Sequence, residues 1–380
     1  MIMIELSIKK FIQSNEDWEE LLTKDPYNLT IRYDNGMFLL KYSQYESDMS
    51  KKICQEARGI IFDEETLKPV CVPYFKFFNY GEEQAAEIDW STAQVQEKVD
   101  GSLMKMFFFH GWRLATNGTI DAFAATVGDS DLTFGDLFVE ALGGKEHYDE
   151  LCKVLNPNYC YMFELVHPAS QVVLSYDEPA VYFHGLRNMI TYEEEQASKV
   201  SLPYCRKPKY YGINNLAETV KLVGKLNDGG HEGVVVCDAH FNRIKMKTEE
   251  YLRQAKIINN GVLTVKTFSR MYLEGILDDY SAVASEFNLM RMREYLDLVS
   301  KAIWQFNHYA EWFDIECKDM SRKEKALHIK SKGDINGIPI FAYYMNYLDK
   351  KNKNGQDFVY HMSVSKLAAM LKKMEQHYGG

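Results

Sequence analysis

Between Leu29 and Ser43 the chain reads LTIRYDNGMFLLKYS. Two runs rich in β-branched and aromatic residues flank Asn35-Gly36, a pair suited to the left-handed backbone of a two-residue turn, so a β-hairpin is expected. Short apolar runs then recur: ARGIIF (57–62), PVCVPYFKFF (69–78), AQVQEKV (93–99), SLMKMFFF (102–109), YCYMFELV (159–166), AVYFHGL (180–186), EGVVVC (232–237) and NRIKMK (242–247) all read as strands. They lack the regular intervening helices of a parallel doubly wound sheet. Antiparallel sheets are therefore expected, with a few helices such as DLFVEALGG (136–144) and NNLAETVKLVGKL (214–226). Beyond about residue 258 the period changes. Leu289, Met292, Leu296, Val299, Ile303 and Phe306 are spaced three and four apart, which marks one face of a helix. IPIFAYYMNYLDKK (338–351) and KLAAMLKKMEQH (366–377) also read as helical. The pattern predicts an α+β domain with antiparallel sheets over 1–258 and an all-α domain over 259–380, with the boundary in INNGV (258–262).

Composition agrees with two domains. The chain has 380 residues, 46% hydrophobic, enough for sizeable cores. Its aromatic content of 13% is too rich for a disordered chain. The net charge of −10 excludes a protein that coats polyanions as a whole, but the charge is unevenly spread. Residues 1–255 carry 26 Lys and Arg against 39 Asp and Glu, whereas residues 256–380 carry 18 against 15. An acidic body with a mildly basic final third suggests separate tasks. The seven cysteines are scattered, without a C-x-x-C pair, and read as reduced thiols rather than a disulfide framework or a zinc site. MIMIELSIKK is charged too early for a signal peptide, and no apolar run approaches the ~20 residues of a membrane helix. A cytoplasmic protein without membrane contact is expected.

The candidate chemistry starts at EKVDGSLM (97–104), where Lys98 ends a strand-like run. By itself it reads equally as a solvated strand residue before a turn. A lysine amine becomes a nucleophile only when deprotonated, from a reference pKa of about 10.4, and nearby positive charge or burial helps. NRIKMK places Lys245 and Lys247 on one face of a strand, where they could supply that charge or hold a phosphate. Gly101 would permit a tight turn and close approach of a ligand, and Asp100 would share the side of Lys98. Glu164 in FELVHP and Glu232 in HEGVVV sit among apolar residues, where a carboxylate is costly unless it meets a cation or metal.

The ordered set ARGIIF, KFFN, KVDGS, NGT, FELV, EGVVV and IKMK resembles the covalent nucleotidyltransferase superfamily of ATP-dependent ligases and capping enzymes. Within it, ARGIIFDEETLKPV, FKFFNYGE and FELVHPASQVVLSY are similar to segments of the phage RNA ligase 1 family, the tRNA-repair ligases. The resemblance covers residues ~50–250 well and the helical final third only in type. DNA ligases and capping enzymes carry a β-rich domain after the K-x-K motif, whereas this chain turns helical.

That resemblance implies an antiparallel-sheet nucleotidyltransferase domain and an ATP-dependent RNA ligase. The enzyme would join 5′-phosphate and 3′-hydroxyl ends of RNA, including tRNA, in RNA repair. Lys98 would attack the ATP α-phosphate and carry AMP. Lys245 and Lys247 would neutralise that phosphate, and Arg58 and Lys76 would reach the departing phosphates. Asp100, Glu164 and Glu232 would orient Mg²⁺, or Mn²⁺ in its place, partly through waters. Val235 and an aromatic, Phe163 or Phe77, could line the adenine slot, although all are equally good core residues. Asn117 stands where the family commonly has lysine; it could still bond ribose or phosphate, but one cation is missing. A monomer is expected, acting in a host cytoplasm if the protein is viral. A DNA-nick ligase, a capping-type enzyme and a non-catalytic RNA-binding relative are the alternatives. No G-x-x-x-x-G-K-[ST] loop is present in these residues, so a fused P-loop kinase is not expected. His167 and His231 read as structural. Arg322, Lys323, Lys325, Lys330 and Lys332, and Lys350, Lys351 and Lys353, form basic runs that are either a solvated face or an RNA-backbone contact. Tyr343, Tyr344 and Tyr347 nearby could serve RNA or the helix core.

Overall fold

The computed structural model describes residues 4–43, 46–127, 131–259, 263–275, 277–281, 284 and 286–378. The chain divides into two compact units, Met1–Ile258 and Asn259–Gly380. Of the boundary segment INNGV, residues 260–262 lie outside the described residues.

Three sheets build the first unit. The first runs in the order β1 (Thr30–Asp34), β2 (Met37–Lys41), β3 (Arg58–Asp63), β4 (Pro69–Cys71), all antiparallel. Asn35 and Gly36 turn the expected hairpin with φ of 49° and 74°, as a two-residue primed turn requires. The predicted strand 69–78 is broken: only Pro69–Cys71 and β5 (Phe78–Asn79) are extended pairs. Pro73 lies between them, and a residue without an N–H cannot continue a ladder.

The second sheet has the order β11 (Glu194–Glu195), β10 (Ala180–Asn188), β9 (Tyr159–Val166), β7 (Ser102–Phe108), β8 (Trp112–Thr116). The third has the order β5, β13 (Arg243–Lys247), β12 (Gly233–Cys237), β6 (Gln94–Lys98). One pair departs from the antiparallel expectation: β5 runs parallel to β13. Each sheet buries one face against helices. The helix Phe134–Ala141 sends Leu137 and Phe138 onto Met104, Met106, Phe163 and Phe183 of the second sheet. It starts at a Thr133–Asp136 capping box, which satisfies two otherwise unpaired amides. The helix Leu216–Lys225 supplies Leu222 and Val223 to a core with Val95, Val234, Val236, Ile244 and Met246 of the third sheet. Met37, Leu39, Ile61 and Cys71 meet Phe107, Ala115 and Cys160 between the first and second sheets.

The second unit is helical throughout its described elements. Its longest helix, Glu286–Glu316, buries Met292, Tyr295, Val299, Ala302, Phe306, Ala310 and Phe313 along one stripe, the three-and-four spacing read from the sequence. Tyr343 and Tyr344 are core residues of this unit, with Tyr343 against Phe306 and Phe358 and the Tyr344 hydroxyl donating to Asp314 at 2.7 Å. Tyr347 bonds the same carboxylate at 2.9 Å. The core reading therefore holds for Tyr343 and Tyr344, whereas Tyr347 is half-buried. Among the described residues no helix is long and apolar enough to cross a membrane.

Candidate active site

Register alone assembles the first part of the site. In a sheet, residues paired across strands project to the same side, and successive residues to opposite sides. Val95, Val234, Val236, Ile244 and Met246 are committed to the core. The opposite face then carries two rows: Lys98–Gly233–Lys247, and Gln96–Val235–Lys245–Asn79. Three lysines thus converge on one sheet face from two strands that are remote in sequence. Gly233 stands between Lys98 and Lys247 with φ of 150°, and a Cβ there would lie 2.0 Å from the Met246 carbonyl oxygen. Only glycine fits, so the space between the lysines stays free of a side chain.

Glu232, one residue before β12, is 2% exposed. Its backbone is tied to the end of β13: Thr248 N donates to Glu232 O at 2.9 Å and Thr248 Oγ1 to His231 O at 2.9 Å. Its carboxylate is shared. Lys98 Nζ donates to Oε2 at 2.7 Å, and Lys247 Nζ lies 3.0 Å from Oε1. This answers how a carboxylate in an apolar run is tolerated, because two cations neutralise it.

Asp100 is also buried, and its oxygens are engaged by neutral donors. Val173 N and Leu174 N donate to Oδ2 at 2.9 and 2.7 Å, and the Tyr251 hydroxyl donates to Oδ1 at 2.9 Å. Burial, then the negative charge of Glu232, pushes its pKa up to about 6 against the opposing amide bonds. In this arrangement Asp100 ties the loop after Lys98 to the 173–174 backbone and to Tyr251. Gly101 serves the same junction. A Cβ there would sit 2.4 Å from Leu165 O and 2.9 Å from Glu164 Cγ, so the close approach is made by β9 itself rather than by a ligand as expected. Glu164 leaves the opposite side of β9 from Phe163, and His184 Nε2 lies 3.3 Å from its Oε2. Asp100, Glu164 and Glu232 do not form a direct metal cage. Among the described residues, three potential ligand atoms come within 4.8 Å of one another only at Glu316, Cys317 and His328, where Lys332 already pairs with Glu316 at 3.2 Å.

Phe163 requires a correction. It is 0% exposed, within 5.6 Å of Phe138 and 5.7 Å of Phe183, ring to ring. Strand alternation turns it into the helix-covered core, so it offers no face to a nucleotide. Phe163→Ala is expected to lower stability by about 3–5 kcal/mol, measured by chemical denaturation, with nucleotide affinity of the folded fraction unchanged. Phe77 is the aromatic at the site. The Arg58 guanidinium lies 5.1 Å from its ring centroid and Lys245 Nζ 6.0 Å. Val235 is nearly buried on the lysine-bearing face.

Beside Phe77, Lys76 Nζ donates to the Tyr42 hydroxyl at 3.2 Å. Arg58 Nη1 and Asn117 Oδ1 are both buried without a hydrogen-bond partner. Buried orphans of this kind are rare and call for a reason. The histidines beside the motifs are structural: His167 Nδ1 accepts from Ala169 N at 3.0 Å and His231 Nδ1 lies 3.1 Å from Asp228. Sequence reading missed Gln96, Gly233, Tyr251, His184, Lys105 and Tyr176, whose hydroxyl accepts from Asp100 N at 3.0 Å. Of these, Lys105 had a signal, a lone charge in SLMKMFFF, the same feature that drew attention to Glu164. Gly233 stood in the quoted EGVVV motif without a role, and the others had no signal short of the strand register.

An amine beside a shared carboxylate, with further cations along the same face, defines a site for an anionic, phosphate-like group rather than a hydrophobic pocket. Residues 56–251 match the RNA ligase family, and the chain belongs to it. It is 29% identical over 267 residues to a protein of Autographa californica nuclear polyhedrosis virus named for a bifunctional polynucleotide kinase and RNA ligase, across 66% of this chain and 38% of that protein. It is 27% identical over 293 residues to an RNA ligase of Rhodothermus phage RM378, across 61% of this chain and 66% of that protein. The chain thus spans less than two thirds of the length of either relative. A solved structure of an archaeal ATP-dependent RNA ligase gives a TM-score of 0.45 at 14% identity, over 76% of this chain and 77% of that chain.

Proposed function

We propose that this chain is an ATP-dependent RNA ligase that seals 5′-phosphate to 3′-hydroxyl ends through a lysyl-AMP and an RNA-adenylate. The observation that carries the reading is Lys98 held at 2.7 Å from a buried carboxylate that a second lysine, Lys247, also contacts. Lys98 Nζ forms a bond to the ATP α-phosphorus and pyrophosphate leaves with the bonding pair. The proton lost from the amine has an acceptor in the Glu232 carboxylate. The RNA 5′-phosphate oxygen then displaces the lysine from AMP. The RNA 3′-hydroxyl finally attacks that phosphate and AMP leaves. In every step charge builds on phosphate oxygens, so fixed cations aimed at them supply most of the stabilisation. Lys247 and Lys245 face the α-phosphate position beside Lys98, with Arg58 and Lys76 farther along for the leaving phosphates. Phe77 and Val235 would take the base.

The Glu164 and Glu232 carboxylates suit a hard dication, because their donors are oxygen. Glu164 and Glu232 would hold Mg²⁺ or Mn²⁺ largely through its waters, and the ion would neutralise phosphate oxygens. The reading places the protein in the cytoplasm and RNA ends, tRNA among them, as its substrates. Incubation of the full chain with labelled ATP and, in parallel, labelled GTP tests it. Covalent label from ATP alone is the expected result, whereas no label from either would leave a non-catalytic RNA-binding relative.

The helical unit is proposed to select the RNA. Lys323 and Lys330 are exposed on the helix Arg322–Lys332, with Lys325 half-buried beside them. Changing all three to Glu is expected to weaken ligation of structured RNA about tenfold or more at moderate salt, and to make the salt dependence shallower by up to about three phosphate contacts. Self-adenylation should be unchanged. Parallel loss of both activities across a salt series would reduce the helices to a scaffold.

A further inference from the structure

Lys105 is wholly buried on β7, and its Nζ donates to the Gly59 carbonyl at 2.6 Å. Among the described residues no carboxylate is hydrogen-bonded or ion-paired to it. The groups that bear on its charge are two thiols, Cys71 and Cys160, and two guanidiniums, Arg58 and Arg32. A buried ammonium costs several kcal/mol unless an anion compensates it, and this one is placed among further cations. Burial and those guanidiniums accordingly pull its pKa down.

The orphaned Asn117 Oδ1 lies at the same spot, and the Arg58 guanidinium is near enough to bear on the Lys105 charge. A Cβ built on Gly59 would meet Lys105 Nζ at 2.9 Å and Asn117 Oδ1 at 3.2 Å, with the Asn117 backbone carbonyl at 2.5 Å. Gly59, at φ of 80°, is therefore the one residue type that lets the ammonium and the amide approach its backbone. Arg58, whose Nη1 lacks a partner, is its chain neighbour. Arg58 and Asn117 are half-buried, so both border accessible space. Cationic groups gathered near one glycine, without a carboxylate on the lysine, form a receptor for a polyanion, to which the Asn117 amide can turn its NH₂.

We propose that Lys105 is a phosphate-binding determinant of the nucleotide site, its buried ammonium acting with Arg58 and Asn117 on the β- and γ-phosphates of ATP. This rests on the reading of the chain as an ATP-dependent ligase and adds a residue to it. It accounts for the orphaned Arg58 Nη1 and for a lysine in a strand whose neighbours are otherwise apolar. The phosphates supply the missing negative charge, and the low dielectric of the site strengthens the attraction. Because Lys105 Nζ and Asn117 Oδ1 approach the same point, a lysine at 117 could deliver its ammonium there from β8's end instead.

Binding of Mg²⁺-ATP and of AMP to the full chain tests this, in a Lys98→Met background that cannot adenylate. Lys105→Met is expected to weaken ATP binding by at least about tenfold, the loss of a buried positive charge near the phosphates, and to change AMP binding less than about twofold. Adding Asn117→Lys should restore most of the ATP affinity. Asn117→Asp alone leaves the core packing of Lys105 intact and should also weaken ATP selectively, by neutralising the cluster. If Lys105→Met does not fold, this variant decides. ATP and AMP affinities that both stay within about twofold, or fall together with the melting temperature, overturn the proposal and leave Lys105 as a packing residue. A parent protein that binds AMP and ATP equally well overturns it too. A parent that binds neither overturns the ligase reading itself.

Discussion

Lys98→Ala is expected to reduce covalent labelling by ATP to background while leaving the fold intact. The side chain is only partly buried, at the end of β6, and its truncation empties no core. The same variant should still seal RNA that already carries a 5′-adenylate, since that substrate enters after the lysine has acted. The two results together separate a nucleophile from a residue that merely binds nucleotide. Loss of a nucleotide contact would depress both reactions, whereas loss of the nucleophile removes one and spares the other. Normal labelling of the variant, or peptide mapping of the label to Lys245 or Lys247, would refute the assignment. Those two are the natural competitors, because all three lysines share a sheet face.

Glu232→Ala is expected to be the most damaging change outside Lys98. It removes the one carboxylate that Lys98 and Lys247 share and leaves two ammonium groups crowded on the sheet face. Breaking a buried pair by deleting one partner costs about 3–5 kcal/mol, so stability must be measured beside activity. Glu232→Gln keeps the shape and separates the two effects. It should fold with a smaller loss yet lower adenylation by about 10²-fold or more, since a neutral amide neither accepts the amine proton nor neutralises the lysines. Glu164→Ala should cost activity with less effect on stability, because Glu164 is met by His184 rather than by two cations. The wild type is expected to be inactive in excess chelator and to recover with added Mg²⁺. Full wild-type activity under chelation would remove the metal from the proposal.

Much of the fold was legible because its signals are local. The Asn35-Gly36 turn, the short apolar runs that mark β3, β9 and β12, and the three-and-four spacing of Met292, Val299 and Phe306 each depend on neighbours in sequence. The split of 69–78 at Pro73 was readable as well, since the missing amide is a property of the residue, yet the apolar run obscured it. The parallel pairing of β5 with β13 was not readable, because no local feature distinguishes it from an antiparallel pair.

The residue types of the site were legible for a related reason. A charge set in an apolar run is costly, and that cost marks Lys98, Glu164, Glu232 and Lys105. What the sequence by itself determined was which residues are too expensive to be idle, and where the chain turns from sheets to helices. Only the tertiary structure decided who meets whom. Strand register sends Phe163 into the core and leaves Phe77 between Arg58 and Lys245. It gives Glu232 to two lysines and Asp100 to backbone amides and Tyr251. It makes the close neighbour of Gly101 another strand rather than a ligand, and it brings Lys105 beside Asn117. The physical reason is that burial is a property of a single residue and is written along the chain. Pairing across sheets joins residues more than a hundred positions apart, and it is set by the packing of whole elements.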